Sequence, residues 1–222
     1  LTALNGYTSG AIDASAVTAI TAGTADDVVA LINDATVTLA AGVDVTVTGS
    51  AAATNLTAIA TATSGTITAS GVTTITGTAT AINAAHQNAE LTSIAANFAA
   101  TVTGTATEDE LTALNGYTSG AIDASAVTAI TAGTADDVVV LINDATVTLA
   151  SGVDVTVTGT ATEDELTAIN TATTGDITAS GITAITAGTA DDVVALISDA
   201  TVTLASGVDV TVTGTAAPPD LT

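Results

Sequence analysis

Near-identical self-repetition constrains this chain more than any other feature. Residues 1–49 recur as 111–159 with two differences, Ala30 against Val140 and Ala41 against Ser151, an offset of 110. Residues 104–159 recur as 159–214, an offset of 55. Glycines that open each segment stand at Gly23, Gly49, Gly77, Gly104, Gly133, Gly159, Gly188 and Gly214, spaced 26, 28, 27, 29, 26, 29 and 26. Short and long segments alternate, so the true period is 55 residues and holds two unlike halves. A segment of that size cannot bury its own apolar face and must use its neighbours to do so.

Each segment opens on one phrase, clearest in Gly159-Thr160-Ala161-Thr162-Glu163-Asp164-Glu165-Leu166. Thr162 is placed to cap a helix, and Glu165, three residues on, completes a capping box. The acids fall in the first turn, where the helix dipole favours negative charge. In the short half, Thr189 and Asp192 play the same parts. A strand over 201–204, a turn at Ser206-Gly207 and a second alternating run, Val208-Asp209-Val210-Thr211-Val212, follow. In the long half, the spacing predicts a strand at 176–179, a corner at Ser180-Gly181 and another strand over 182–186. Stacking such units predicts a repeat solenoid over residues 1–222. The expected class is a right-handed β-solenoid of about eight coils with 26–29 residues per coil. A short helix lies on one wall and parallel sheets on the others. Residues 77–103 depart from the pattern. Their strand alternation is weak, they suit a longer helix, and they hold His86 and Phe98, the only His and the only Phe. At the C-terminus Pro218 and Pro219 replace the acids, a position where a first helical turn tolerates proline.

Composition sets the chemistry. Lys and Arg are absent against 23 acids, giving a formal net charge of −23. Such a chain repels nucleic acid and anionic membrane surfaces, and its carboxylates must be solvated, used as caps, or met by external cations. Cys is absent, so no disulfide staples it. No apolar run approaches the length of a membrane span, which argues against membrane insertion. Aromatic residues make up 1 %, so the core must be aliphatic.

Few residues suggest a site. Asp44, Asp154 and Asp209 fall in one strand column, with Thr128 and Thr183 expected at that column in the intervening coils. These aspartates are the candidate cation contacts, with loosely bound calcium or another divalent ion as the expected ligand. No Asp-x-Asp-x-Asp-Gly loop is present, and specific calcium binding needs 6–8 oxygens. Thr-x-Thr pairs (Thr46/Thr48, Thr156/Thr158, Thr211/Thr213 and their counterparts) resemble the threonine arrays of ice-binding proteins, but they occur in alternate coils only. His86 has no second His and no Cys beside it. No nucleophile motif, phosphate-binding loop or metal spacing is found, so no catalytic residue and no cofactor are assigned, and the expectation is that the chain is not an enzyme.

The near-identical blocks 1–49 and 111–159, and the tag Val-Thr-Val-Thr-Gly-Thr-Ala at 155–161, resemble the acidic Thr/Ala/Gly/Val-rich repeats of giant secreted or cell-surface bacterial proteins. That resemblance implies an extracellular adhesin stalk, sheath, surface layer or filament. The chain opens in mid-phrase, and Leu1-Thr2 matches Leu221-Thr222 four periods away, so it reads as part of a longer array whose copies could stack end to end. The expected function is a stiff acidic structural segment with itself as partner. The alternative is a binding module, acting through the threonine arrays on ice or through the irregular stretch 77–103 on a ligand or partner.

Overall fold

A computed structural model describes residues 1–91 and 93–214. Within them the chain alternates strand and helix. It divides into two compact units, residues 1–101 with 114–122, and residues 102–113 with 123–222.

The first unit holds α1 (Thr2–Asn5), β1 (Ile12–Ala14), β2 (Ala19–Gly23), α2 (Ala25–Ile32), β3 (Val37–Leu39), β4 (Asp44–Ala52), α3 (Ala53–Ala62), β5 (Ile67–Gly77) and α4 (Ala79–His86). β6 (Ala99–Ala106) and α5 (Glu108–Tyr117) contribute residues to both units. The second unit holds β7 (Ile122–Ile130), α6 (Ala135–Ile142), β8 (Val147–Leu149), β9 (Asp154–Ala161), α7 (Glu163–Ala172), β10 (Ile177–Ile185), α8 (Ala190–Ile197), β11 (Val202–Leu204) and β12 (Asp209–Val210). β1 and β3 form a two-stranded sheet. The other ten strands form one open sheet in the order β11-β10-β9-β7-β6-β5-β4-β2, with β8 beside β7 and β12 beside β10. The registers of β1 with β3, β2 with β4, β4 with β5, β7 with β9, and β10 with β9, β11 and β12 are all parallel.

This corrects the expected class. The molecule is a mixed α/β fold with an open ten-stranded parallel sheet and eight helices among the described residues, not a right-handed β-solenoid, and the repeat-solenoid class falls with it. The cause lies at the presumed corners. Ser180-Gly181 does not turn the chain onto a second β wall. β10 runs unbroken from Ile177 to Ile185, and its pairing with β9 shifts register twice, between Thr178 and Gly181 and between Ile182 and Ala184. The buried positions are Ile177, Ala179, Ile182 and Ile185, spaced two, three and three. Each irregularity adds a residue and keeps the next apolar side chain on the same face. Ile67, Ala69, Val72 and Ile75 do the same in β5. Two expected walls are therefore one.

The core lies between that sheet face and the helices. In the first unit, Leu56 and Ile59 of α3 and Ile82 of α4 are fully buried with Val45, Val47, Ile67 and Val72. In the second, Leu166 and Ile169 of α7 and Val138 of α6 are buried with Val155, Val157 and Ile182. Small Ala residues (Ala53, Ala69, Ala79, Ala135, Ala179) fill the rest, as a chain almost without aromatics requires.

The longer helix expected in 77–103 is also corrected. α4 ends at His86, with Gln87 as its C-cap. The Glu90 N–H then bonds the Asn88 side chain, 2.9 Å away, and turns the chain. In place of the short strand found at 37–39 and 147–149, the Ser93 hydroxyl accepts from the Ala69 N–H at 2.7 Å and donates to the Ile67 carbonyl at 3.3 Å. One side chain thus satisfies two groups of β5 that a strand would otherwise pair. The proposed proline cap at 218–219 and the matching Leu221-Thr222 end lie outside the described residues, as does Thr92 within 77–103.

Candidate functional site

The capping acids at the helix starts are occupied. Thr162 caps α7 as the sequence suggests: its hydroxyl accepts from the Glu165 N–H at 3.2 Å, and the Glu165 carboxylate accepts from the Thr162 N–H at 2.7 Å. In α2, α6 and α8 the acid three residues after the cap is Asp, whose shorter side chain receives the cap hydroxyl itself, as from Thr189 to Asp192 at 2.6 Å. Glu108 and Glu163 are buried against Gly133 and Gly188 and accept hydrogen bonds from Thr112 and Thr167.

Asp44 and Asp154 also have structural partners. The Asp44 carboxylate accepts from the Thr66 N–H at 2.7 Å, and that of Asp154 from the Asp176 N–H at 2.9 Å. Asp209 opens β12 and is exposed. Their strand neighbours are Ala19, Ala129 and Ala184, so the expected register with Thr128 and Thr183 is off by one residue. The N–H that Asp154 receives belongs to a second acid, Asp176, just ahead of β10, so acids of successive segments are neighbours here rather than two segments apart. Among the described residues, no group of three or more His, Asp or Glu side chains is placed to hold a metal ion, and no helix is long and apolar enough to cross a membrane.

The threonine pairs form short ladders only. Thr46 pairs with Thr68, and Thr156 with Thr178 and then Thr203, but Thr48 faces Gly71 and Thr158 faces Gly181. Several exposed hydroxyls bond across to the neighbouring strand: Thr128, Thr183 and Thr158 donate to the carbonyls of Gly104, Gly159 and Gly133, at 3.2, 3.1 and 3.4 Å.

In the first unit the His86 ring stacks on Tyr117, centroids 4.2 Å apart and planes 11° off parallel. Phe98, fully buried, lies 6.1 Å from His86, and Gln87 donates to the Tyr117 hydroxyl at 2.7 Å. Burial holds the imidazole below its ordinary pKa. These rings pack on one another, closing the space that stands open beside Ile32 and Ala62 in the first unit and beside Ile142 and Ala172 in the second, clefts of about 200 and 270 Å³.

The constellation the sequence reading passed over is Thr63-Ser64-Gly65, Thr118-Ser119-Gly120 and Thr173-Thr174-Gly175. Each threonine is buried at a helix C-terminus. The Thr173 hydroxyl donates to the Val153 carbonyl at 2.6 Å and accepts from the Gly175 N–H at 2.9 Å, while the Thr174 N–H donates to the Ser151 carbonyl at 2.7 Å. Thr63 repeats this on Val43, and Thr118 on Phe98. A Cβ at Gly65, Gly120 or Gly175 would sit 2.4, 2.2 or 2.5 Å from those same carbonyl oxygens. The signal was present as a Thr-[Ser/Thr]-Gly triplet every 55 residues, but it reads as an ordinary loop. Two further clusters, Asn5–Asp34–Thr36 and Asn170–Asp199–Thr201, tie a helix end to the next short strand. Hydrogen bonds from the Thr36 and Thr201 hydroxyls, and then from their N–H groups, hold both aspartates below the usual carboxylate range.

Comparison with protein families, with curated proteins and with solved structures found no match.

Proposed function

We propose that this chain is a non-catalytic structural segment of an extracellular filament, surface layer or adhesin stalk. One observation carries the reading: the latch threonines, the capping acids and the strand aspartates Asp44 and Asp154, which recur along the sequence, are spent on the chain itself. The threonine–glycine latch at 63, 118 and 173 grips the preceding strand three times in the same way. The acids at helix starts cap backbone, and Asp44 and Asp154 receive the N–H groups ahead of the next strand. A repeated set of polar groups bonded to the chain's own backbone supports a load-bearing or space-filling role. The −23 surface then keeps the segment soluble and gathers divalent cations, calcium among them, as a diffuse and loosely held atmosphere.

Immunogold labelling of the source cells with an antibody raised against residues 1–222 tests this. Label on an external layer, sheath or filament is the expected result. Label confined to the cytoplasm overturns it.

A further inference from the structure

Three segments of this chain reach the same place with different side chains. The ten-residue helices α3, α5 and α7 end at Ala62, Tyr117 and Ala172. The eight-residue helices α2, α4 and α6 end at Ile32, His86 and Ile142. The latch threonines grip the carbonyls of Val43, Phe98 and Val153. The middle segment thus gathers three rings where each of the others gathers an alanine, an isoleucine and a valine. The smaller set leaves space. Ile32, Val43 and Ala62 line a cleft of about 200 Å³, and Ile142, Val153 and Ala172 line one of about 270 Å³. Val147 and Leu149 complete the apolar wall of the second cleft, as Val37 and Leu39 do in the first. Each cleft lies within one compact unit.

The middle segment also shows what fits there. His86 and Tyr117 stack as near-parallel slabs, centroids 4.2 Å apart and planes 11° off parallel, with buried Phe98 6.1 Å from His86. Putting alanine in place of Tyr117 takes one flat ring and one hydroxyl out of that frame. The Tyr117 hydroxyl accepts from the amide of Gln87, the residue after α4, at 2.7 Å. Asn143 holds the same position after α6. Its Nδ2 donates to the Val139 carbonyl at 2.9 Å, which leaves the amide oxygen to accept from a hydroxyl. A hollow of about 350 Å³ beside Asn143 shares Ile142 and Ala172 with the cleft, so the space runs from the apolar wall to the amide.

We propose that the two clefts are binding sites for a small neutral phenol, seated over Ile32 and Ile142 as the Tyr117 ring is seated over His86. The volumes suit a single ring, since an apolar cavity of about 150 Å³ already takes benzene. The net charge of −23 disfavours a ring that carries a carboxylate and so selects the neutral class. This site goes beyond the structural role proposed above and does not depend on it.

Methyl-resolved NMR of the 222-residue chain, titrated with p-cresol (the tyrosine side chain as a free molecule), reads the outcome. The Ile32 and Ile142 methyls are expected to shift saturably, with a Kd of about 1 mM or tighter. A172Y puts into the second cleft the side chain that α5 carries at that place. It is expected to abolish the Ile142 shift and to leave the Ile32 shift unchanged, and A62Y to do the reverse. The site that remains in each variant shows that it folds. Cyclohexanol, with a hydroxyl on a ring of the same size that is not flat, is expected to bind at least about tenfold more weakly. Methyls that do not shift, or shift without saturating by about 10 mM p-cresol, overturn the proposal. So does a shift at Ile142 that survives A172Y, and so does cyclohexanol binding as tightly as p-cresol. None of these readings bears on where the chain lies on the cell, so the structural role stands or falls separately.

Discussion

At the scale of single residues, the latch glycines make the sharpest demand on the sequence. Gly120 lies so close to the Phe98 carbonyl that any side chain must displace backbone. G120A is therefore expected to cost about 2 kcal/mol or more. G10A, whose added Cβ would meet only the Thr8 hydroxyl at 3.4 Å, should fall within about 0.5 kcal/mol of the parent. Urea unfolding midpoints at constant slope check both. T118V keeps the volume but strands the Gly120 N–H and the Phe98 carbonyl, for an expected loss of about 1–3 kcal/mol. His86 makes a separate demand. Burial lowers its pKa below the ordinary 6.5, so between the folded and unfolded values the unfolded chain binds more protons. Stability is then full above pH 6.5 and declines as pH falls through the folded value. Asp13, Asp34, Asp123 and Asp199 are depressed too, by hydroxyl and N–H donors, but from 3.8, so their stability is lost only at more acid pH. H86Q should abolish the upper phase of the pH–stability profile and leave the lower one. An upper phase that survives H86Q sinks this assignment.

At the scale of elements, the helix starts were legible and the strand ends were not. Thr162, Glu165, Thr189 and Asp192 announce their caps because capping is local, a matter of three residues and one hydroxyl. α3 makes the point by omission: Ala52 stands where Thr107 and Thr162 stand in the other long segments, and no side chain caps it. A52T is expected to raise stability by about 0.5–1 kcal/mol, read by thermal unfolding, whereas T162A should lower it by about 1 kcal/mol. The bulges could not be read in the same way. Ser180-Gly181 is an ordinary turn dipeptide, and its role as a register shift depends on Thr158, whose methyl lies where a Gly181 side chain would go. That is a relation between strands over 20 residues apart, and no local pattern encodes it. The one-residue error that set Thr128 rather than Ala129 beside Asp154 has the same origin, since each bulge changes the count. The Ser93 substitution for a strand and the threonine latches were illegible for a related reason: their partners, Ile67, Val43, Phe98 and Val153, lie a full segment away. Identical sequences even fold differently, 12–20 as two short strands and 122–130 as one, so the neighbour and not the segment decides the element.

At the scale of the whole molecule, charge is the dominant unbalanced term. With no Lys or Arg, the carboxylates are met by hydroxyls and N–H groups, and mutual repulsion opposes folding throughout. The Asp154 carboxylate receives the Asp176 N–H, which sets the two acids side by side, inside the roughly 10 Å Debye length at 0.1 M salt, a length that falls to roughly 3 Å at 1 M. Raising NaCl from 0.1 to 1 M is therefore expected to raise Tm, by about 2–4 °C for each kcal/mol of repulsion screened. Divalent ions sharpen the question. Oδ1 of Asp44 and of Asp154 already accepts a backbone N–H, which leaves each carboxylate fewer lone pairs for an ion, and calcium needs 6–8 oxygens about one centre. A diffuse cation atmosphere depends on charge rather than on coordination geometry. Calcium and magnesium chloride at matched ionic strength should then raise Tm equally, and a chelator should reverse both. A distinctly larger rise with calcium, lost on D154N but kept on D191N, would mean that the strand aspartates build a true site and that cation binding here is specific.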